Sequence, residues 1–139
     1  MNLSKQAPVI LPGQKIGIIG GGQLGRMMAL AARNLGFKIA VLDPTPNSPC
    51  GQIADIEITA PFNDVEALQR LALISDVLTF EFENINADAL DQLTGNSYIP
   101  QGTDILRITQ DRVLEKQAIE KSGVNVAPYE VITSFEDLY

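Results

Sequence analysis

The sequence of 139 residues predicts an α/β domain built on an open parallel sheet with helices on both faces. Three observations carry that expectation. Short apolar runs alternate with amphipathic stretches about every twenty residues. A glycine-rich turn joins the first run to the first helix, and no internal repeat or low-complexity tract breaks the pattern. Right-handed crossovers leave few topologies, of which strand order 3-2-1-4-5 is the expected one.

Met1–Lys15 carries Pro8, Pro12 and Gly13 without a sustained period and reads as an arm. Lys15–Gly20 is a short apolar run ending in glycine, the form of a strand buried on both faces. Gln23–Leu35 follows a helical period, with Leu24, Met27, Met28, Ala31, Ala32 and Leu35 on one side and Gly36 as its stop. Phe37–Leu42 is the second strand, closed by Asp43-Pro44, and the proline-rich stretch Pro44–Gly51 is a loop. Ile53–Thr59 suggests a third strand. Asp64 caps a helix through Val65, Leu68, Leu71 and Ala72, and Asp76–Phe80 is a fourth strand. Ala87–Leu93 is a short helix ended by Gly95-Asn96, and Tyr98–Pro100 is a brief fifth strand at most. Asp104–Ile108 and Thr109–Ser122 read as consecutive helices, with Thr109 as an N-cap and Gly123 as the stop. Val124–Thr133 looks like a further strand, and Ser134 caps a helix beginning at Phe135. A chain that ends on the opening turn of a helix is expected to be a piece of a longer one.

Composition excludes several chemistries. With no histidine, neither a Ser-His-Asp nor a Cys-His nucleophile can be built, and histidine zinc sites are absent. The one cysteine, Cys50, has no intrachain partner for a disulfide, which fits a reducing, cytoplasmic setting. Ten Lys plus Arg against seventeen Asp plus Glu give a net charge of -7, which disfavours nonspecific binding to nucleic acid or an anionic membrane. No uncharged apolar run approaches the roughly 18 residues that span a bilayer, and the first residues lack a signal-peptide core.

Three features point to a ligand. Gly20-Gly21-Gly22-Gln23-Leu24-Gly25 fits G-x-G-x-x-G between a strand and a helix, where the chain turns tightly and an anion can approach the helix N-terminus. Asp43 follows 18 residues after Gly25, where dinucleotide-binding folds place a carboxylate on a ribose hydroxyl. The same glycines also serve close strand–helix packing, and Asp43 also opens an Asp-Pro turn. Gln23 adds a polar amide that donates and accepts toward a small substrate. In Phe80-Glu81-Phe82-Glu83-Asn84, strand period sets the phenylalanines on one side and Glu81 and Glu83 on the other. Strands one and four are neighbours at the topological switch point, so the glycine loop and Glu81 are expected to share a crevice. In Gln110-Asp111-Arg112, the arginine lies in the first turn of its helix, where the dipole disfavours a cation; it serves either an anion such as phosphate or a salt bridge with Glu115 or Asp111.

Ile18–Met28, Val41–Pro44, Thr79–Ile85 and Gln110–Arg112 together resemble the start of the 5-(carboxyamino)imidazole ribonucleotide synthase family, ATP-grasp enzymes of purine synthesis. The likeness runs from Lys15 to Tyr139. It implies a ligase that uses ATP, with Mg2+, to activate bicarbonate and carboxylate 5-aminoimidazole ribonucleotide, in members that are commonly dimers. It assigns residues 1–14 to an arm, 15–108 to a Rossmann-like pre-ATP-grasp domain and 109–139 to the beginning of an ATP-grasp domain. By the same resemblance Gln23, Leu24 and Glu81 contact the ribonucleotide, Glu83 is a secondary candidate, and Arg112 contacts ATP. The family's metal carboxylates, lysines and lid lie beyond Tyr139, so these residues alone are expected to lack synthase activity. The rival readings are an NAD-dependent oxidoreductase and a nucleotide-sensing module.

Overall fold

The computed structural model describes residues 8–95 and 97–138; Met1–Ala7 of the expected arm, Asn96 and Tyr139 lie outside the described residues. Four parallel strands form one sheet in the order β3-β2-β1-β4. They are β1 (Lys15–Ile19), β2 (Lys38–Asp43), β3 (Ile56–Thr59) and β4 (Val77–Phe80). The helices are α1 (Gln23–Asn34), α2 (Val65–Leu73), α3 (Ala87–Thr94), α4 (Asp104–Gln110) and α5 (Arg112–Lys121).

The strands are apolar on both faces because both faces are covered. On one side Ile18, Ile39 and Val41 meet Ala29 of α1 and Cys50. On the other, Ile19, Ala40, Leu42 and Leu78 meet Leu68 and Leu71 of α2 and Leu90 and Leu93 of α3. The alternation of Ile18 with Ile19, and of Val41 with Leu42, is the period of two that sends successive side chains to opposite faces.

α1 packs on a narrower stripe than its apolar pattern predicts. Gly25 and Ala29 are buried and Met28 and Ala32 half-buried, whereas Leu24, Met27, Ala31 and Leu35 are exposed. Small residues let the helix axis approach the sheet closely, and the larger side chains are turned outward. The Asp64 cap forms as expected, its carboxylate accepting from the Ala67 N–H at 3.0 Å.

The fifth strand does not form. Tyr98 supplies one carbonyl to the Leu78 N–H, and then a side chain takes over: Gln101 Oε1 accepts from the Phe80 N–H and Gln101 Nε2 donates to the Phe80 carbonyl. Pro100 offers no donor of its own, so the ladder cannot continue through it. Thr109 does not cap α5; it lies inside α4 with its hydroxyl donating back to the Ile105 carbonyl. Asp111 is the cap, accepting from the N–H groups of Val113 and Leu114. Residues 124–133 are not a strand, because among the described residues no sheet edge pairs with them, and a lone strand gains no ladder. The helix expected from Ser134 is a single 3-10 turn, Glu136–Leu138, and the Asp137 carboxylate accepts from Thr133 and Ser134 ahead of it. Those bonds hold the Asp137 carboxyl down at about 2.

Leu71 and Leu90 are fully buried while Leu73 is 86% exposed. Leu71→Ala or Leu90→Ala is expected to lower unfolding stability by about 2–5 kcal/mol in chemical denaturation. Leu73→Ala should stay within about 0.5 kcal/mol of the parent.

Candidate functional site

The register of the sheet places the site. Ile19 pairs with Leu42 on one side and with Phe80 on the other. The next residues in each strand bring Gly20 between Asp43 and Glu81. This is the switch point, since the chain leaves β1 toward β2 on one side and returns as β4 on the other.

Two glycines make the turn possible. Gly20 has φ +108°, and a Cβ there would lie 2.6 Å from the Phe82 ring. A Cβ on Gly25 would lie 2.2 Å from the Gly20 carbonyl oxygen, so the first turn of α1 rests directly on the end of β1. The N-cap is Gly22, which has no side chain to bond the helix N–H groups, and no acidic residue occupies the first turn. The amides at the start of α1 therefore keep their capacity to bind a ligand acceptor, at the positive end of the helix dipole.

The two carboxylates flanking the loop differ in kind. Asp43 is buried, with Oδ2 accepting from the Gly21 N–H at 2.7 Å and Oδ1 from the Thr45 N–H at 2.8 Å. Each of its oxygens accepts from a backbone N–H, so Asp43 shapes the loop. Glu81 is half-buried, and its Oε1 sits 3.5 Å from the Cβ position of Gly20 and 3.9 Å from that of Gly22. The expected approach of Glu81 to the glycine loop is seen in these distances, whereas the cavity that Glu81 lines opens toward Ile105 and Thr109 of α4. Gln23 and Leu24 open α1 with exposed side chains.

Glu83 is exposed and stands on the rim of a shallow cavity of about 280 Å³, which Glu81, Phe82, Ile105 and Thr109 also line. Phe80 is buried and Phe82 half-buried in the same apolar cluster, and Phe82 meets Phe62 edge-on with ring centroids 4.7 Å apart. The phenylalanines thus share a side, although the ladder ends at Phe80. Arg112 is the first residue of α5, its side chain 76% exposed and ion-paired with Glu115 one turn along. The structure gathers Gln23, Leu24 and Glu81 around the glycine loop; Arg112 stands in the salt bridge with Glu115.

Sequence reasoning misses the scaffold behind the loop. Ser48 is buried, donating to Glu57 Oε1 and accepting from the Gly51 N–H. Glu57 also accepts from the Asn47 and Ser48 N–H groups, and the Cys50 N–H reaches the Gly21 carbonyl at 2.8 Å. Burial raises the Glu57 pKa, but the bonds from Ser48 and Asn47 outweigh it and hold the carboxyl below its ordinary 4.5. Burial first, then Glu57 and Asp43, push the Cys50 thiol up to about 11 against the pull of Arg26, so Cys50 is a packing residue. The signal for this network was the composition of Pro44–Gly51 alone, which marks a loop and not its anchor. Among the described residues no group of three or more His, Cys, Asp or Glu is placed to hold a metal ion. No helix among them is long and apolar enough to cross a membrane.

A model of the ribonucleotide synthetase preATP-grasp domain matches residues 13–110. The chain belongs to that family. This pre-ATP-grasp domain is 55% identical over 136 residues to N5-carboxyaminoimidazole ribonucleotide synthase of Bacillus subtilis, covering 98% of this chain and 35% of the relative. A crystal structure of the Staphylococcus aureus N5-carboxyaminoimidazole synthetase complexed with ADP superposes with TM-score 0.90 at 42% identity, over 93% of this chain and 35% of that one. The Aspergillus clavatus synthase, in complex with ADP and 5-aminoimidazole ribonucleotide, superposes with TM-score 0.78 at 34% identity, over 86% of this chain and 32% of that one. The chain thus spans about a third of the length of these relatives.

The depressed Glu57 pKa fixes the sign of a pH effect. Its contribution to stability is present above about 4.5 and is lost as pH falls through the lower folded value. Glu57→Gln is expected to unfold at a lower temperature near neutral pH and to lose less on acidification than the parent. Thermal unfolding followed from pH 6 to pH 3 checks both.

Proposed function

We propose that this chain is the ribonucleotide-binding N-terminal third of an ATP-dependent carbon–nitrogen ligase. The ligase converts 5-aminoimidazole ribonucleotide, ATP and bicarbonate to 5-carboxyaminoimidazole ribonucleotide, ADP and phosphate. The observation that carries the reading is the Glu81 carboxylate set beside the uncapped glycine loop. A carboxylate accepts from ribose hydroxyls or an exocyclic amine, while helix N–H groups donate to acceptors on the same molecule, so the crevice offers both polarities to one small polar ligand. The Bacillus subtilis relative bears the name of this ligase, and the Aspergillus relative was crystallised with this ribonucleotide.

In this reading Gln23, Leu24 and Glu81 hold the ribonucleotide, Glu83 borders it, and Arg112 exchanges Glu115 for an ATP phosphate. Residues 15–108 form the substrate domain, and 109–139 begin the ATP-grasp domain. Magnesium would be held by carboxylates outside this chain, where it would shield the phosphates of ATP. The full-length ligase works in the cytoplasm as a homodimer. The 139 residues alone bind neither metal nor the transferred phosphate, and so form no ADP.

In the full-length ligase Glu81→Ala should raise KM for the ribonucleotide by about tenfold or more, the loss of a hydrogen bond to a charged group. KM for ATP should stay within about twofold. Arg112→Ala should show the opposite bias. Steady-state kinetics with each substrate varied in turn decides: equal shifts in both constants for Glu81→Ala refute the substrate assignment. Ribonucleotide-dependent ADP formation by the 139-residue chain refutes the division of labour.

A further inference from the structure

Glu81 sits on a segment with no ladder beneath it. The strand ends at Phe80, and Glu81, Phe82 and Glu83 run on as bends before α3. Within Glu81–Ile85 the Ile85 N–H bonds the Glu83 carbonyl at 2.8 Å. Phe82 and Ile85 anchor the segment by packing in the core, but that leaves its backbone without a ladder, and the proposed role needs Glu81 fixed against the glycine loop.

The backbone carbonyls of the segment are held by one amide. Gln110, the last residue of α4, donates from Nε2 to the Glu83 carbonyl at 2.5 Å and to the Ile85 carbonyl at 2.7 Å. Both hydrogens of the amide are used, so its orientation is determined by two acceptors on the loop. Its sequence neighbour Asp111 caps α5 through Val113 and Leu114, which fixes the backbone from which Gln110 reaches out. Gln110 is exposed, so burial does not account for a doubly bonded amide here. Both of these bonds go to the loop backbone, so any effect on Glu81 runs through it.

We propose that Gln110 is a positioning residue, clamping the Glu83 and Ile85 carbonyls so that Glu81 is held in the ribonucleotide crevice. This rests on the ribonucleotide reading of the site. It also ties that loop to the junction that carries Arg112, two residues on.

The test uses the full-length ligase with Gln110→Glu, which keeps the shape but turns two donors into acceptors facing carbonyls, and Gln110→Met, which keeps the length without any donor. Both should raise KM for 5-aminoimidazole ribonucleotide about tenfold, the loss of two neutral hydrogen bonds, with KM for ATP within about twofold. The decisive readout is the cycle with Glu81→Ala: if Gln110 acts through Glu81, the double variant should be little worse than Glu81→Ala alone. Additive effects, equal shifts in both Michaelis constants, or parental kinetics in both Gln110 variants overturn the positioning role. If Glu81→Ala leaves the ribonucleotide KM unchanged, the substrate reading falls and this proposal with it; a raised KM in Glu81→Ala beside parental Gln110 variants overturns the positioning role alone.

Discussion

Everything at the carboxyl edge of the sheet depends on one close approach, the seating of Gly25 on the carbonyl of Gly20. A side chain at Gly25 would place an atom 2.2 Å from that oxygen, well inside the contact distance of carbon and oxygen. Because the contact exists, α1 begins after only three residues, Gly20–Gly22, beyond the end of β1, and Ala29 is buried against Ile18 and Val41. The uncapped amides then fall between Asp43 and Glu81. The glycines are therefore a packing device, and under the proposed function they are a binding device at the same time, so the two explanations that the motif allows are compatible.

The same geometry separates two carboxylates that look alike in sequence. Asp43 follows a buried strand in the centre of the sheet, where unpaired backbone donors must be satisfied, and it satisfies two of them. Glu81 follows the edge strand, where Gln101 already serves the Phe80 backbone. Its carboxylate is thereby left to the crevice. Position within the sheet decides which acid is tied to backbone and which is left for the proposed ligand.

Where the sequence pattern is dense, it translates directly into structure: β1, α1 and β2 fall where Lys15–Gly20, Gln23–Leu35 and Phe37–Leu42 set them, since each has an apolar run and a stop residue. The pattern fails where side chains replace backbone. Tyr98–Pro100 has strand composition, but Pro100 cannot donate, and the amide of Gln101 does the pairing. Thr109 and Asp111 are both competent caps, and local sequence does not show that the Thr109 hydroxyl is spent inside α4. The apolar residues of α1 are read correctly as helical and wrongly as buried, because periodicity reports a face and not how closely the helix approaches. Of the candidate site, the meeting of Gly20 with Glu81 follows from strand order and is legible. The Ser48–Glu57 anchor is not, since its partners are nine residues apart in a loop and a strand without periodic relation.

Polar side chains, rather than further secondary structure, finish this edge of the fold. Asp43 closes the glycine loop, Glu57 closes the proline-rich loop, Gln101 closes the edge of β4, and Gln110 closes the segment after it. A regular ladder at these positions would pair the same backbone groups, but it would also cover the helix N-terminus and carry Glu81 away along the strand direction. Single side chains satisfy the backbone while leaving the space above it open. A sheet that must both end cleanly and present a crevice is therefore expected to end on amides and carboxylates. Ser48, Glu57 and Gln101, which sequence reading passes over, belong to this class, as does Gln110, which it reads only as part of the motif with Arg112, because a side chain that substitutes for backbone leaves no period in the sequence.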